Sequence, residues 1–505
     1  MTPAPDWAGR GRTLLRNGRI MGVADATAVL LEGDRVAWIG RDPEGIAADE
    51  ITDLAGAVVA PGFVDAHVHA TSTGLALIGL DLSSAASLGA ALTRIAEAAR
   101  AGGALIGHGW DETRWPESRP PSRAELDTAV DGAVAYLSRI DVHSALASTA
   151  LLELVPGIQG MDGFSADGPL TRSAHHAVRE VAQQQVALSR RTEAHRATRA
   201  HAASLGIVAM QEMAGPVISS PDDLHALLAL SASEPGPLVE GYWGELAQSG
   251  GIDRARELGA IGVAGDLFID GSVGSRTACL RTPYLDEPTS HGAQYLTPDD
   301  VEGHVMAASQ AGMQAGFHVI GDAATDVVVD AFARCAEAMG VDVFRRLRHR
   351  IEHAEMLDDR HVRVLAELGV TVSMQPVFDA LWGGAGGMYE RRLGAERMRG
   401  MNRFASITRA GILMAFGSDA PVTPLGPWEA IDAAVHHHQV EERVDDQVAF
   451  EAHSRAGWQA IGCEDAGVIA VGAPAHLAVW GAEVPRKALR TIVAGRTVHD
   501  TGELS

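Results

Sequence analysis

The chain reads as an α/β protein: an eight-stranded β/α (TIM) barrel with a small β-sandwich built from both termini. Three observations predict this. Short apolar runs alternate with helix-forming stretches until eight β/α units can be counted. Histidines and carboxylates recur at the ends of those runs, where a barrel of this kind gathers its functional groups. Two β-rich segments of similar character stand at opposite ends of the sequence.

Taken in order, residues 13–20 read as a hairpin around Asn17-Gly18, and 28–40 as a second one around Gly33-Asp34. Residues 475–480 and 488–498 have the same alternation, so the two ends are expected to share one sandwich. The resulting division is 1–61 for its N-terminal part, 62–460 for the barrel, and 461–505 for its C-terminal part. A helical and loop insertion fills about 70–205. Within it 173–204 is rich in Ala, Gln, Arg and Glu and is expected to be helical, whereas 109–116 and 120–123 read as loops. Barrel strands are expected at 58–69, 206–210, 238–243, 266–269, 315–319, 349–353, 370–374 and 413–417.

With 505 residues, 46% of them hydrophobic, the chain can bury a large core. A formal charge of −24 argues against nucleic acid as a partner, because phosphate backbones require a basic footprint. No apolar run reaches the length of a bilayer span, so no membrane partner is expected. The polar N-terminus lacks the apolar core of a signal peptide. Three scattered cysteines, Cys279, Cys335 and Cys463, form no disulfide or metal pattern. A cytoplasmic enzyme acting on a small molecule is the expected class, and the reading allows for a homodimer.

The chemistry begins at His67-Val68-His69. Side chains at i and i+2 of a strand share one face, so both imidazoles can point at one ion. Neutral imidazole is the commonest ligand of zinc-type metals, and a site needs further ligands to close. Those ligands are expected at the other strand ends: Asp266 opening the fourth strand, His318 ending the fifth, His353 ending the sixth and Asp419 following the eighth. A barrel brings that rim together, so the set reads as a mono- or dinuclear hydrolytic metal site.

The motifs Gly62-Phe63-Val64-Asp65-Ala66-His67-Val68-His69, Arg350-Ile351-Glu352-His353-Ala354 and Gly417-Ser418-Asp419-Ala420-Pro421 resemble the amidohydrolase superfamily. The stretch 268–278, Gly109-Trp110-Asp111-Glu112 and Asp141-Val142-His143-Ser144 are similar to its family 3, the YtcJ-like branch that includes N-substituted formamide deformylases. The resemblance implies that His67 and His69 bind one metal and that His318 and His353 bind the other. It also implies that Asp419 contacts metal and serves as general base. The reaction implied is attack of activated water on a carbon–nitrogen bond other than a peptide bond: an amide, N-formyl or cyclic amide. Deamination, ester hydrolysis or isomerisation on the same site, or a non-catalytic small-molecule-binding role, stand as alternatives.

One departure is informative. Many relatives carry a lysine where this chain has Asp266, and its carboxylated form bridges two metals. The only lysine here is Lys487, in the C-terminal β segment, so no carbamate bridge is expected. A single tightly held divalent ion is the favoured reading, with Zn as the default from ligand type. Asp266 bridging two ions directly, or Glu212 supplying a carboxylate, are the alternatives. Substrate contacts are expected from Trp110, Trp115, His143, Arg276, Phe378 and Trp382. Arg276 serves as a clamp for a carboxylate or carbonyl, and Trp382 lies in a glycine-rich lid. His436-His437-His438 is placed on a helix, away from the metal.

Overall fold

The computed structural model describes residues 4–41, 43–140, 144–481 and 487–505. Eight parallel strands form its central sheet: β1 (Phe63–Val68), β2 (Ile207–Ala214), β3 (Leu238–Trp243), β4 (Gly262–Val263), β5 (Gln314–Val319), β6 (Arg350–His353), β7 (Thr371–Met374) and β8 (Met414–Phe416). Each pairs with the next in sequence, the order that β/α repetition produces. All residues of β1 and β2 are buried, as expected for strands covered on both faces. The first and eighth strands meet beyond β8, where Val68 bridges Ala420, Asp419 N–H donates to His67 O at 2.8 Å and His69 N–H donates to Ala420 O at 3.0 Å. Gly417 permits that approach, since a Cβ there would lie 2.4 Å from the His67 backbone nitrogen.

Contact density divides the chain into two units: residues 1–69, 199–216 and 220–505, and residues 70–198 with 217–219. The first unit holds the barrel and two further sheets. In one sheet Val58–Pro61 pairs antiparallel with Leu477–Trp480, Val59 opposite Val479, and Leu477–Trp480 pairs with Ala488–Val493. Leu15, Val29 and Leu31 of the other sheet pack with Val59, Leu477 and Ile492 in one apolar core. Residues from both termini therefore share a core. Around Gly33-Asp34 the hairpin forms as expected. Asn17-Gly18 instead carries the chain between sheets: Arg12–Arg16 pairs with Ala28–Glu32, while Arg19–Ile20 pairs with Val58–Pro61.

The fourth barrel strand is also displaced from the sequence expectation. It occupies Gly262–Val263, and Asp266 follows it instead of opening it. Gly265, at φ +93°, turns the chain out of the ladder. Beyond it only Phe268 regains a bridge, to His318.

The second unit contains more β-structure than its composition suggests. Leu170–Thr171, Ser144–Ala147, Ala135–Arg139, Leu105–Trp110 and Leu80–Asp81 form a five-stranded sheet. Gly109 and Trp110 thus end a strand where a loop is expected. Helices Arg172–Gln184 and Leu188–Ser204 match the helical reading of 173–204. Among the described residues no helix is long and apolar enough to cross a membrane.

Candidate metal centre

The barrel places His67, His69, His318, His353, Asp266 and Asp419 around one space. Asp266 is its hub: its carboxylate oxygens lie 3.6 Å from His67 Nε2, 3.2 Å from His69 Nε2, 3.5 Å from His318 Nδ1 and 3.9 Å from His353 Nε2. Asp419 Oδ1 lies 3.1 Å from His69 Nε2 and 3.5 Å from His67 Nε2. Two sets of converging donor atoms result, His67 with His69 and Asp419, and His67 with Asp266 and His353.

Neighbouring groups fix which nitrogen three of the four rings offer. His67 Nδ1–H donates to Glu352 Oε2 at 2.9 Å, which turns the free lone pair of Nε2 inward. Gln375 Oε1 lies 2.8 Å from His353 Nδ1 and accepts its proton in the same way. For His318 the roles reverse, since Nε2 is 3.2 Å from Gly271 O and Nδ1 faces Asp266. Behind His67, buried Arg350 pairs with Glu352 and donates to Ala66 O at 2.9 Å and Gln211 Oε1 at 2.6 Å. Its guanidinium also lies 4.7 Å above the Tyr242 ring.

The residues fit a divalent ion on two grounds. His67 Nε2, His318 Nδ1, Asp266 Oδ1 and Asp419 Oδ1 are buried and have no hydrogen-bond partner, although they converge. Buried polar atoms are rarely left so. The electrostatics agree. Burial alone would raise the Asp266 carboxyl, yet the surrounding imidazoles hold it well below the ordinary value. Burial alone would lower His353 and His69, yet the carboxylates raise His353 to about 9 and His69 well above its ordinary value. A space whose walls favour protonated imidazole is one that attracts a cation. His353, Ala354 and Asp419 adopt φ of +69°, +49° and +54°, a conformation that costs of order 1–3 kcal/mol per residue and concentrates at functional sites.

The remaining expected contacts separate. Phe378, on α1 (Pro376–Trp382), lies parallel to the His353 ring at 6.0 Å, and Trp382 packs 4.6 Å from Phe378, so both belong beside the metal centre. Arg276 is engaged in ion pairs, with Asp286 at 2.8 Å and Glu287 at 3.5 Å. Trp110 and Trp115 are buried in the second unit's own core, their indole N–H groups donating to Leu137 O and Ala85 O, both at 2.8 Å. They anchor that core instead of presenting a face to substrate. His143 lies outside the described residues. His437 and His438, expected on a helix, lie just beyond the end of the helix Pro427–Val435.

The sequence alone assigns no role to Arg350, Glu352 or Gln375. Arg350 and Glu352 sit at i and i+2 of a strand that is buried throughout, and two charges on one face of a barrel strand are the available signal. Asp270 is a clamp: its oxygens accept from Cys279 N at 2.8 Å, Ile320 N at 3.0 Å and Gly321 N at 2.8 Å. Burial raises its carboxyl to about 6. Asp270→Asn replaces an acceptor with a donor facing those amides and is expected to destabilise the fold by about 1–3 kcal/mol, read by urea unfolding. A change within 0.5 kcal/mol would refute the clamp.

Comparison with known proteins agrees with this geometry. The model of the Amidohydrolase family matches residues 50–499. The putative amidohydrolase YtcJ of Bacillus subtilis is 28% identical over 430 residues, 78% of this chain and 76% of the relative. N-substituted formamide deformylase of Arthrobacter pascens is 25% identical over 450 residues, 81% and 80% of the two chains. Among solved structures, an uncharacterized metal-dependent hydrolase from Pyrococcus furiosus superposes with a TM-score of 0.77 at 27% identity, covering 93% of this chain and 98% of its own. With that match extending over most of its length, the chain belongs to the amidohydrolase family.

Proposed function

We propose that this metal-dependent hydrolase cleaves a carbon–nitrogen bond of a small molecule, an amide, N-formyl or cyclic amide, with Asp419 as general base. The observation that carries the reading is Asp419 Oδ1: buried, without a hydrogen-bond partner, and 3.1 Å from His69 Nε2 at the barrel mouth. His67, His69, His318 and His353 with Asp266 would hold a divalent ion, zinc by ligand type, which when bound would supply a water of pKa about 7 and a polarised carbonyl. Asp419 then accepts the water proton and delivers it to the departing amine. His318, with Nδ1 facing Asp266 at 3.5 Å, would set its ring beside a bound carbonyl, and Phe378 with Trp382 would supply an apolar wall. The likeness to N-substituted formamide deformylase supports N-formyl amines as the first substrates to test. A panel of N-formyl amines, N-acyl amines, cyclic ureas and aryl esters is expected to give hydrolysis among the amides. Turnover of aryl esters alone would overturn the assignment.

One ion in the barrel is the favoured occupancy. His67 belongs to both converging sets, its Nδ1 proton is engaged by Glu352, and the one lone pair on Nε2 serves a single ion. The double variant His67→Ala/Asp266→Ala is expected to contain one equivalent less metal than the wild type by mass spectrometry. A loss of two equivalents would replace this reading with a dinuclear centre bridged by Asp266.

A further inference from the structure

We infer that Asp379, His437 and His438 form a second transition-metal site, separate from the barrel cluster, that staples α1 to the segment following the helix Pro427–Val435. Their donor atoms converge on one another, and Asp379 and His437 are buried. His437 Nε2 lies 3.2 Å from Asp379 Oδ1, and His438 Nδ1 contacts the same oxygen. None of these three atoms has a hydrogen bond of acceptable geometry. They are close because they face a common point, which is the arrangement of ligands and not of donor and acceptor.

The surroundings are built for that role. His438 N–H donates to Asp379 Oδ2 at 3.1 Å, which fixes the carboxylate with Oδ1 toward the rings. The two imidazoles stack with centroids 4.5 Å apart. His437 Nδ1 lies 3.2 Å from Gln439 O, and donating its proton there frees Nε2. The other tautomer, with Nδ1 accepting from Gln439 N–H at 2.9 Å, places a proton on Nε2 against Asp379 and describes an ion-free pair. Gly383 leaves the space clear, because a Cβ there would sit 2.7 Å from both His438 Nδ1 and Asp379 Oδ1.

Two imidazoles and one carboxylate select zinc and its neighbours over calcium or magnesium, which prefer all-oxygen cages. The side chain of His438 is 12% exposed, which gives an ion a way in. Asp379 follows Phe378 directly and lies on the same helix as Trp382, so an ion here would hold the aromatic wall against His353.

Metal content by mass spectrometry of dialysed protein tests this. His438→Ala and Asp379→Asn are each expected to lose one equivalent of zinc relative to the wild type. The barrel variant His67→Ala/His69→Ala is expected to retain one equivalent after zinc loading. Asp379→Asn keeps the side-chain size and an acceptor for the His438 amide, so it carries the test should His438→Ala fail to fold. Equal zinc in wild type and a folded Asp379→Asn, or no zinc retained by the barrel variant, would overturn the site in favour of the ion-free Asp–His pair.

Discussion

Asp419→Asn is expected to lower kcat/KM for the best amide substrate by about 10²–10⁴-fold, the range of a positioned general base. The substitution preserves shape and leaves the backbone hydrogen bond from residue 419 to His67 O in place. What disappears is a proton acceptor. Burial alone would raise the Asp419 carboxyl, but His67, His69 and His353 pull it below the ordinary value, so it stands ionised throughout the neutral range. Metal content measured on the same preparation separates loss of the base from loss of the ion. Unchanged hydrolysis at full metal content would remove Asp419 from its role.

Arg350→Met is expected to cost about 3–5 kcal/mol of stability, the usual consequence of leaving one member of a buried ion pair alone. Both Arg350 and Glu352 are fully buried. Burial by itself would raise Glu352, yet Arg350 and then His67 bring it to about 2, below the ordinary 4.5. A depressed carboxyl contributes stability that is fully present above pH 4.5 and is lost as pH falls toward 2. Without Arg350 burial dominates, the carboxyl rises above its ordinary value, and acidification then favours the folded variant. The stability gap between wild type and variant is therefore expected to be widest at pH 8 and to narrow toward pH 5, read by urea unfolding. A gap below 1 kcal/mol at pH 8, or one that widens on acidification, would show that the pair does not hold Glu352 ionised.

The barrel and its converging His/Asp cluster were legible because both obey short-range rules. Strands buried on two faces must be apolar, and His67-Val68-His69 must share a face, so the expected strands fall on or beside all but one of those observed. The fourth strand was misplaced because Gly265 breaks it, and a glycine within an apolar run does not announce whether it bends the chain. Asn17-Gly18 carries a hairpin signal, but Arg19 and Ile20 find their partners at Val58 and Val59, 39 positions away. Within 70–205 two of the five strands have only two residues, and those two stand at the edges of the sheet, which leaves little local pattern. For Arg276, Trp110 and Trp115 the residue type suggested binding. Their engagement by Asp286, Leu137 O and Ala85 O is tertiary information that no spacing encodes.

The junction of the first and eighth strands has one further consequence. The hydrogen bonds that close the cylinder are made by His67, His69, Asp419 and Ala420, and three of those residues also carry the site. Mechanical integrity and chemical competence thus depend on the same few atoms. Any fluctuation that unzips this junction disperses the donor set in the same motion, and a cation spanning it acts as a rivet across the closure.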